Sequence, residues 1–226
     1  MKHYMRNPHK MSNHSPVDAK EMAGIADTTG SMAHAKQPKR ERGKQRVAAL
    51  MNAGAELFQE KGYEATTMTE IASRAGAAIG SLYQFFPSKE ALAEAIFARY
   101  STRVADMLQE LAQRSPTLSP AELADALVDT MLTLRSDRDA TIALSDSVTS
   151  IVERRKPLRN ATRNMVATIL RGAAPGLGET RATVVAAMVL HIMKSVQALA
   201  MAEKESGQPF VAEARSVLAV YISQLR

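Results

Sequence analysis

Apolar residues recur every three or four positions through most of the chain beyond residue 43, which is the spacing of one face of an α-helix. Signals for β-strands are almost absent, and glycine and proline fall mainly between the periodic segments. The predicted fold class is therefore all-α, with a three-helix N-terminal unit followed by a C-terminal helical domain. The predicted helices cover residues 44–61, 68–75, 79–86, 88–114, 120–134, 138–156, 158–171, 179–205 and 210–226.

The segment of residues 65–86 has the form of a helix-turn-helix. Thr67 is a good N-cap, and Glu70, three residues later, completes a capping box. Gly76 suits the positive φ of a turn after the first helix, and Pro87 ends the second. A helix-turn-helix places its second helix in the major groove of DNA. An ordinary αα-hairpin has the same spacing, so the spacing alone leaves both interpretations open.

A wider set of residues around this segment matches a known family in the same order. The matching positions are Leu57 and Phe58, Gly62 and Tyr63, Thr66 to Met68, Ile71 and Ala72, Ala75 and Gly76, Gly80, Leu82 and Tyr83, Phe86, Lys89 and Glu90, and Leu92. Over residues 46–97 the sequence resembles the N-terminal domain of the TetR (tetracycline-repressor-like) family of bacterial transcription regulators. The resemblance implies an operator-binding N-terminal domain, a small-molecule pocket in the C-terminal domain, and a homodimer formed by the last two helices.

The second helix of the predicted helix-turn-helix carries the side chains best suited to contact DNA. Ser81, Tyr83 and Gln84 have hydrogen-bonding groups for phosphates or base edges, while Leu82 and Phe86 are expected to face the core. We expect double-stranded DNA to be the partner of this surface. The predicted DNA-binding residues are Arg46, Thr66, Thr67, Met68, Ala77, Ala78, Ile79, Ser81, Tyr83, Gln84, Phe85 and Lys89.

Three positions depart from the family pattern. Family members commonly have Ser or Thr at the position of Ala78, Lys or Arg at that of Ile79, and Tyr or His at that of Phe85. Loss of the cap at Ala78 costs about 1 kcal/mol of local helix stability, and loss of the cation at Ile79 removes about one phosphate contact. These departures bear on the strength of DNA binding and leave the predicted fold unchanged.

Composition narrows the class of protein. The 226 residues carry a net charge of +6, which is compatible with binding nucleic acid. The chain has no cysteine, which excludes disulfides and thiol catalysis and suits a cytoplasmic location. Aromatic residues make up only 4%, so stacking platforms for single-stranded nucleic acid are not expected. No phosphate-binding glycine loop, nucleophile elbow or metal-ligand pattern is present, and we expect a protein without catalytic activity, cofactor or metal.

The chain divides into four predicted segments. Residues 1–35 are polar and contain several possible start methionines, and we interpret them as a disordered tail. Residues 36–43 belong to a basic run that continues to Arg46, and they are predicted to form an arm that contacts phosphates, or alternatively a solvated linker. Residues 44–98 form the predicted DNA-binding domain. Residues 99–226 form the predicted effector-binding and dimerisation domain.

An apolar segment of residues 182–202 is near the length of a membrane span, but His191, Lys194 and Gln197 lie inside it. We interpret it as a buried helix that contributes to a dimer interface, with Val189 and Leu218 as positions at which to test that interface. A basic cluster at residues 154–156, before Pro157, is predicted to be a solvated helix end.

The effector pocket is expected to be largely apolar and poor in aromatic residues, and the effector mainly aliphatic or weakly polar. Methionines, including Met193, fit irregular cavities, and polar groups such as Gln197 lie on otherwise apolar helices; a plain core role is the alternative for each. The predicted effector-binding residues are Thr130, Met131, Thr133, Asp146, Thr149, Met165, Met188 and His191.

Three functions agree with these features. The first is a repressor that binds a palindromic operator as a dimer and is released by a small-molecule effector. The second is an effector-independent DNA-binding protein of the same fold. The third is a ligand-binding helical protein with weakened operator binding, which Ala78 and Ile79 favour.

Overall fold

The computed structural model describes residues 41–144, 147–202 and 207–225, and within them the chain forms helices and connecting turns without a β-strand. The prediction of an all-α fold is confirmed. The basic segment at residues 36–40 and Asp146 lie outside the described residues. The helices are α1 Glu41–Ala65, α2 Met68–Arg74, α3 Ile79–Phe85, α4 Lys89–Arg114, α5 Pro120–Thr133, α6 Arg135–Leu144, α7 Thr149–Ala173, α8 Glu179–Ala202 and α9 Gly207–Ser223, with a 3₁₀ turn at Ser115–Thr117.

The N-terminal unit consists of α1, α2, α3 and the first turns of α4. Helix α1 begins at Glu41, three residues before the predicted start, so residues 41–43 of the predicted basic arm are helical. Gly62 interrupts α1 with φ +81°, a left-handed conformation that favours glycine. The chain resumes helical geometry after Gly62, so α1 ends four residues later than the sequence predicts. Gly76 has φ +59° and makes the turn between α2 and α3.

Helix α4 connects the N-terminal unit to the rest of the molecule. Ser88 caps its first turn by accepting a hydrogen bond from the backbone N–H of Ala91 at 3.0 Å, as predicted. Leu92 packs so closely on α1 that a Cβ at Gly54 would lie 2.9 Å from its Cδ2 atom. Farther along, Leu108 and Leu111 are buried in the C-terminal half. The predicted domain boundary at residues 98–99 therefore falls inside one continuous helix.

Helix α7 continues through Pro157, although the sequence predicts that a helix ends there. Proline lacks the N–H that would bond to the carbonyl four residues earlier, which usually interrupts a helix. Ile151 before the proline and Leu158 and Ala161 after it are all buried, and α7 packs along α4 and α8. Tertiary packing on both sides of Pro157 thus outweighs the local penalty.

Helices α5, α8 and α9 pack together at the far side of the protein. Ser119 and Glu122 form a capping box at the start of α5, as the Ser-Pro sequence predicts. Arg215 of α9 donates to the carboxylates of Asp125 and Asp129 on α5. No helix in the described part of the chain is long and apolar enough to cross a membrane. Several large apolar side chains of α8 and α9 remain exposed: Val184, Met188, Leu199, Val217 and Val220.

Candidate nucleic-acid interface and internal cavity

Helix α2 is fixed at its first turn by the predicted capping box. The backbone N–H of Glu70 donates to the Thr67 hydroxyl at 3.3 Å, and the N–H of Thr67 donates to the Glu70 carboxylate at 2.9 Å. Hydrogen bonds from Lys61 and then from Thr67 lower the pKa of Glu70 to about 2. The carboxylate is therefore charged at neutral pH, and the cap is intact under physiological conditions.

Helix α2 is also held against α1 by an ion pair. Both terminal nitrogens of Arg74 donate to Glu60 at 2.8 Å, in the bidentate arrangement that gives geometric specificity. Met68, Ile71 and Ala72 are buried beneath this contact. With its orientation fixed on α1, α2 provides a rigid base for the turn and for α3.

Helix α3 has one buried side and one side open to solvent. Leu82 and Phe86 are buried, as predicted. On the opposite side Ile79 is 40% exposed and Tyr83 50% exposed, and Gln84 is exposed beside them. We call Ile79, Tyr83 and Gln84 the α3 face. These side chains lie on a helix that is fixed to the core, and their exposure allows them to contact a partner as large as double-stranded DNA.

Two further features lie next to the α3 face. Arg46 on α1 donates to the Ser81 hydroxyl at 3.4 Å, so this exposed cation lies near the start of α3. Ala78 occupies the N-cap position of α3 without a side-chain hydrogen bond, as expected from its lack of a hydroxyl. Ala77 and Phe85 are half-buried against the core.

Three of the predicted DNA-binding residues make contacts within the protein. The Thr66 side chain is buried, with its hydroxyl 2.7 Å from the carbonyl of Gly62 and 3.2 Å from that of Leu57. Met68 is buried in the core. The Lys89 ammonium donates to the carbonyls of Tyr63, Glu64 and Thr66 at 2.7, 3.2 and 3.0 Å. These atoms are engaged within the protein because the C-terminal end of α1 leaves carbonyls that need donors.

We expect that replacing Lys89 with Met will destabilise the fold by about 1.5–3 kcal/mol, because carbonyls at the end of α1 lose a charged donor. The Lys89 ammonium also lies 4.3 Å from the centre of the Tyr63 ring, a cation–π contact that methionine cannot make. Urea denaturation of the purified variant measures the loss. Lys44→Met is the matched control, since Lys44 is exposed; equal stability of the two variants would contradict the bracing role.

A cavity of about 260 Å³ lies in the C-terminal half between α4, α5, α6, α7 and α8. Its floor is apolar, with Phe97, Leu127, Leu134 and Val166 among the buried side chains. Its remaining apolar and hydroxyl-bearing residues are Tyr100, Val104, Leu108, Thr130, Met131, Thr141, Ile142, Leu158, Thr162, Leu190 and Met193. The charged lining residues are Arg138, Arg155, Arg159 and Lys194.

The structure brings two of the predicted effector-binding residues, Thr130 and Met131, to this cavity, together with Met193. The others that it describes lie elsewhere. Met165 is buried in the core and Met188 is exposed on α8. His191 is exposed, with its Nδ1 atom 2.8 Å from the carbonyl of Ala187. Thr133 and Thr149 are exposed near the ends of α5 and α7. Helical periodicity does not tell which face of an apolar helix lines a cavity and which faces solvent.

Comparison with known families agrees with both halves of this architecture. A sequence model described as bacterial regulatory proteins, tetR family, matches residues 50–96. A second, described as the tetracyclin repressor-like C-terminal domain, matches residues 119–221. The chain belongs to the TetR family.

Individual TetR-family proteins are similar to the chain in sequence or in fold. The HTH-type transcriptional repressor KstR of Rhodococcus jostii strain RHA1 is 39% identical over 61 residues, 27% of this chain and 29% of that protein. A transcriptional regulator from Aquifex aeolicus VF5 has a TM-score of 0.63 at 20% identity, covering 78% of this chain and 99% of that one. The structure of a SmeT–triclosan complex has a TM-score of 0.61 at 20% identity, and the match covers 78% of this chain and 90% of that one. The chain spans less than a third of the curated relatives' length, so these likenesses establish family and fold.

In this TetR-family protein, α6 connects the cavity to the N-terminal unit. Arg138 lines the cavity, and its neighbour Asp137 is buried. The Asp137 carboxylate accepts hydrogen bonds from Arg99, at 3.0 Å, and from Arg103, both on α4. Arg99 also donates to Asn52 on α1 at 2.8 Å. Asp137 of α6 is thus linked to α4 by two ion pairs and, through Arg99, to Asn52 of α1.

The charged residues that line the cavity of this TetR-family protein are not among the effector-binding residues that its sequence predicts. The basic cluster at residues 154–156 does not end a helix, because α7 continues past Pro157. Arg154 lies 5.0 Å from the Phe97 ring and Arg155 lines the cavity, whereas Lys156 is exposed to solvent as predicted. The isolated Lys194 in an apolar segment was a signal for a cavity residue, since such a charge needs water or a partner.

Proposed function

We propose that the protein is a DNA-binding transcriptional repressor that binds a palindromic operator as a homodimer and is released from it by a small-molecule effector. The observation that carries the proposal is the exposed α3 face on a helix whose opposite side is buried. A helix presented in this way fits the major groove, which distinguishes base pairs by their donors and acceptors. Family membership and the likeness to the repressor KstR support the same function.

The homodimer is supported by the apolar surface of α8 and α9. Val184 and Met188 on α8 and Val217 and Val220 on α9 are exposed large apolar residues, and together they form what we call the α8–α9 face. Contiguous apolar surface of this kind commonly marks an interface. A two-fold dimer presents two copies of α3 to two half-sites, which suits a palindromic operator.

The effector is supported by the cavity and by the path from it to the DNA-binding unit. The cavity is lined by residues of five helices and contains both apolar and polar groups, as ligand sites do. SmeT, a solved relative in fold, is described in complex with triclosan, so a small ligand is compatible with this architecture. We further propose that the protein acts in the cytoplasm and has no catalytic activity.

Selection of preferred sites from random duplex DNA tests the repressor function. A palindromic consensus at moderate salt supports it. Failure to select any palindrome would favour the alternative of a ligand-binding helical protein with weakened operator binding. The uncapped start of α3 at Ala78 is the observation that favours this alternative.

On the selected site, we expect Gln84→Ala to relax sequence preference and Tyr83→Phe to weaken binding equally at all sequences. The amide of Gln84 can both donate to and accept from a base edge, which is worth about 1–3 kcal/mol of discrimination. The Tyr83 hydroxyl is placed to donate to a phosphate, which carries no sequence information. Fluorescence anisotropy with the selected site and with single-base variants measures both effects.

The matched control for these variants is Gln109→Ala, because Gln109 is exposed on α4 in the half of the helix that leads away from α3. Unchanged discrimination in Gln84→Ala would argue against base reading by this residue. A Tyr83→Phe effect confined to one base pair would replace the phosphate contact with a base contact.

A further inference from the structure

Cationic side chains from three helices meet at the cavity. Arg138 comes from α6, Arg155 and Arg159 from α7, and Lys194 from α8. Among the described residues that line the cavity, these are the charged side chains, and all four are cations. Their mutual influence is direct: burial first, and then the charges of the three arginines, lower the pKa of Lys194. A group of like charges at one cavity favours the binding of an anion there.

The threonines of the cavity do not provide donors for an anion deeper inside. The hydroxyls of Thr130, Thr141 and Thr162 each donate to the backbone carbonyl four residues earlier, at 2.8 Å. Their oxygens retain only acceptor capacity toward a ligand. A carboxylate placed among them would face lone pairs and apolar carbon, so the cations are its favourable location.

Tyr100 adds a neutral donor near the cations. Burial raises the pKa of its hydroxyl, which therefore stays protonated at neutral pH; the charge of Arg138 opposes that rise, and the charges of Asp137 and Asp139 add to it. The cavity thus has an apolar interior and a cationic end with a neutral hydroxyl beside it.

We propose that the effector is an amphipathic carboxylate, with its aliphatic tail in the apolar interior and its head group among Arg138, Arg155, Arg159 and Lys194. This inference rests on the proposed function only in calling the ligand an effector; binding itself is independent of DNA. At about 30 Å³ per water-sized group, 260 Å³ holds roughly nine such groups, the length of a medium-chain tail. The charged head distinguishes this ligand from the weakly polar one that the sequence predicts.

The test compares three ligands of equal chain length on the full-length protein: decanoate, 1-decanol and decylammonium. We expect decanoate to bind at least about tenfold more tightly than 1-decanol by isothermal titration calorimetry, and decylammonium to bind most weakly. The preference for decanoate should decrease as salt increases, since the cations lie toward the solvent-accessible end. Equal binding of the acid and the alcohol, preference for the amine, or no binding of decanoate would overturn the proposal.

Variants separate the head-group contact from the tail contact. Arg159 and Lys194 are exposed, so Arg159→Gln and Lys194→Gln are expected to fold normally. Each should lower decanoate affinity several-fold, and the double variant at least about tenfold, with 1-decanol affinity unchanged. Lys156→Gln, which removes the same charge from an exposed position on α7 outside the lining, is the matched control. Equal loss in this control would overturn the proposal.

The outcome is independent of the repressor function. Direct binding of decanoate requires no operator, and site selection on DNA requires no ligand. Binding of decanoate by a protein that selects no palindrome would support the cavity assignment while contradicting the proposed function. Selection of a palindrome by a protein that does not bind decanoate would support the repressor function and overturn the proposal of a carboxylate ligand.

Discussion

Combining Val184→Glu with Val220→Glu is expected to convert the protein from a dimer to a monomer and to lower its affinity for a palindromic site by at least about a hundredfold. Val220 is 65% exposed and Val184 59% exposed, both on the α8–α9 face. In the proposed dimer each substitution buries an unpaired carboxylate, and two-fold symmetry doubles the number. In a dimer, binding of one subunit to its half-site raises the effective concentration of the other subunit at the second half-site, and a monomer lacks this effect.

Sedimentation velocity measures the oligomeric state of this variant, and anisotropy on full and half operators measures its DNA affinity. Val152→Glu is the matched control, because Val152 is an exposed valine on α7, away from the α8–α9 face. We expect it to remain dimeric. A double variant that stays dimeric at micromolar concentration would show that this face is not the interface. Unchanged affinity for the half operator would show that α3 is still folded in the monomer.

The sequence does not show which apolar residues of α8 and α9 lie at the surface of the protomer. Val189 and Leu218 are the interface positions that the sequence suggests, but both are fully buried within one protomer. Replacing either with a charged residue would unfold the subunit and say nothing about the dimer. A helix that is apolar on most of its surface does not reveal which apolar side is covered by its own chain and which by a partner.

The helix starts that a side chain caps were predicted to within one residue, whereas α1, α6, α7 and α9 begin three or more residues before their predicted starts. Thr67, Ser88 and Ser119 each cap a helix with a hydroxyl that accepts from the backbone N–H three residues later, which is a purely local arrangement. The turn at Gly76 is local as well, because its positive φ favours glycine. Such features depend on neighbours within four residues, so the sequence contains all the information that determines them.

Features that depend on distant residues were not predictable in this way. Lys89 lies 26 residues from the Tyr63 carbonyl that it contacts, and nothing near Lys89 in the sequence distinguishes that contact from one with a phosphate. The helical passage through Pro157 depends on α4 and α8 packing against α7. The cationic end of the cavity combines residues from three helices, and the order of the residues along the chain does not show that Arg138 and Lys194 join the arginines of α7. Tertiary packing therefore decides residue roles that local chemistry leaves open.

Replacing Asp137 with Ala is expected to destabilise the protein by roughly 2–4 kcal/mol and to weaken the coupling between the cavity and the DNA-binding unit. The carboxylate is buried and accepts from two arginines of α4. Most of the lost stability should come from Arg99, which is largely buried and would lack a carboxylate partner. Arg103 is more exposed, so water can replace its contact with Asp137. Arg99 would still donate to Asn52 of α1, but it would have lost its carboxylate partner on α6.

Urea denaturation measures the stability term, and a double-mutant cycle with Arg99→Gln isolates the contribution of that ion pair. Asp106→Ala, an exposed acid on the same helix as the two arginines, is the matched control and should change stability by less than about 0.5 kcal/mol. The coupling is measured as the ratio of operator affinities with and without decanoate. Because Asp137 adjoins Arg138 of the cavity, the ratio should approach one in Asp137→Ala while decanoate still binds. A variant that loses stability but keeps the wild-type ratio would show that ligand binding affects α1 by another route. One such route is the hydrogen bond at 2.8 Å from the Gln59 side chain on α1 to the carbonyl of Ser136 on α6.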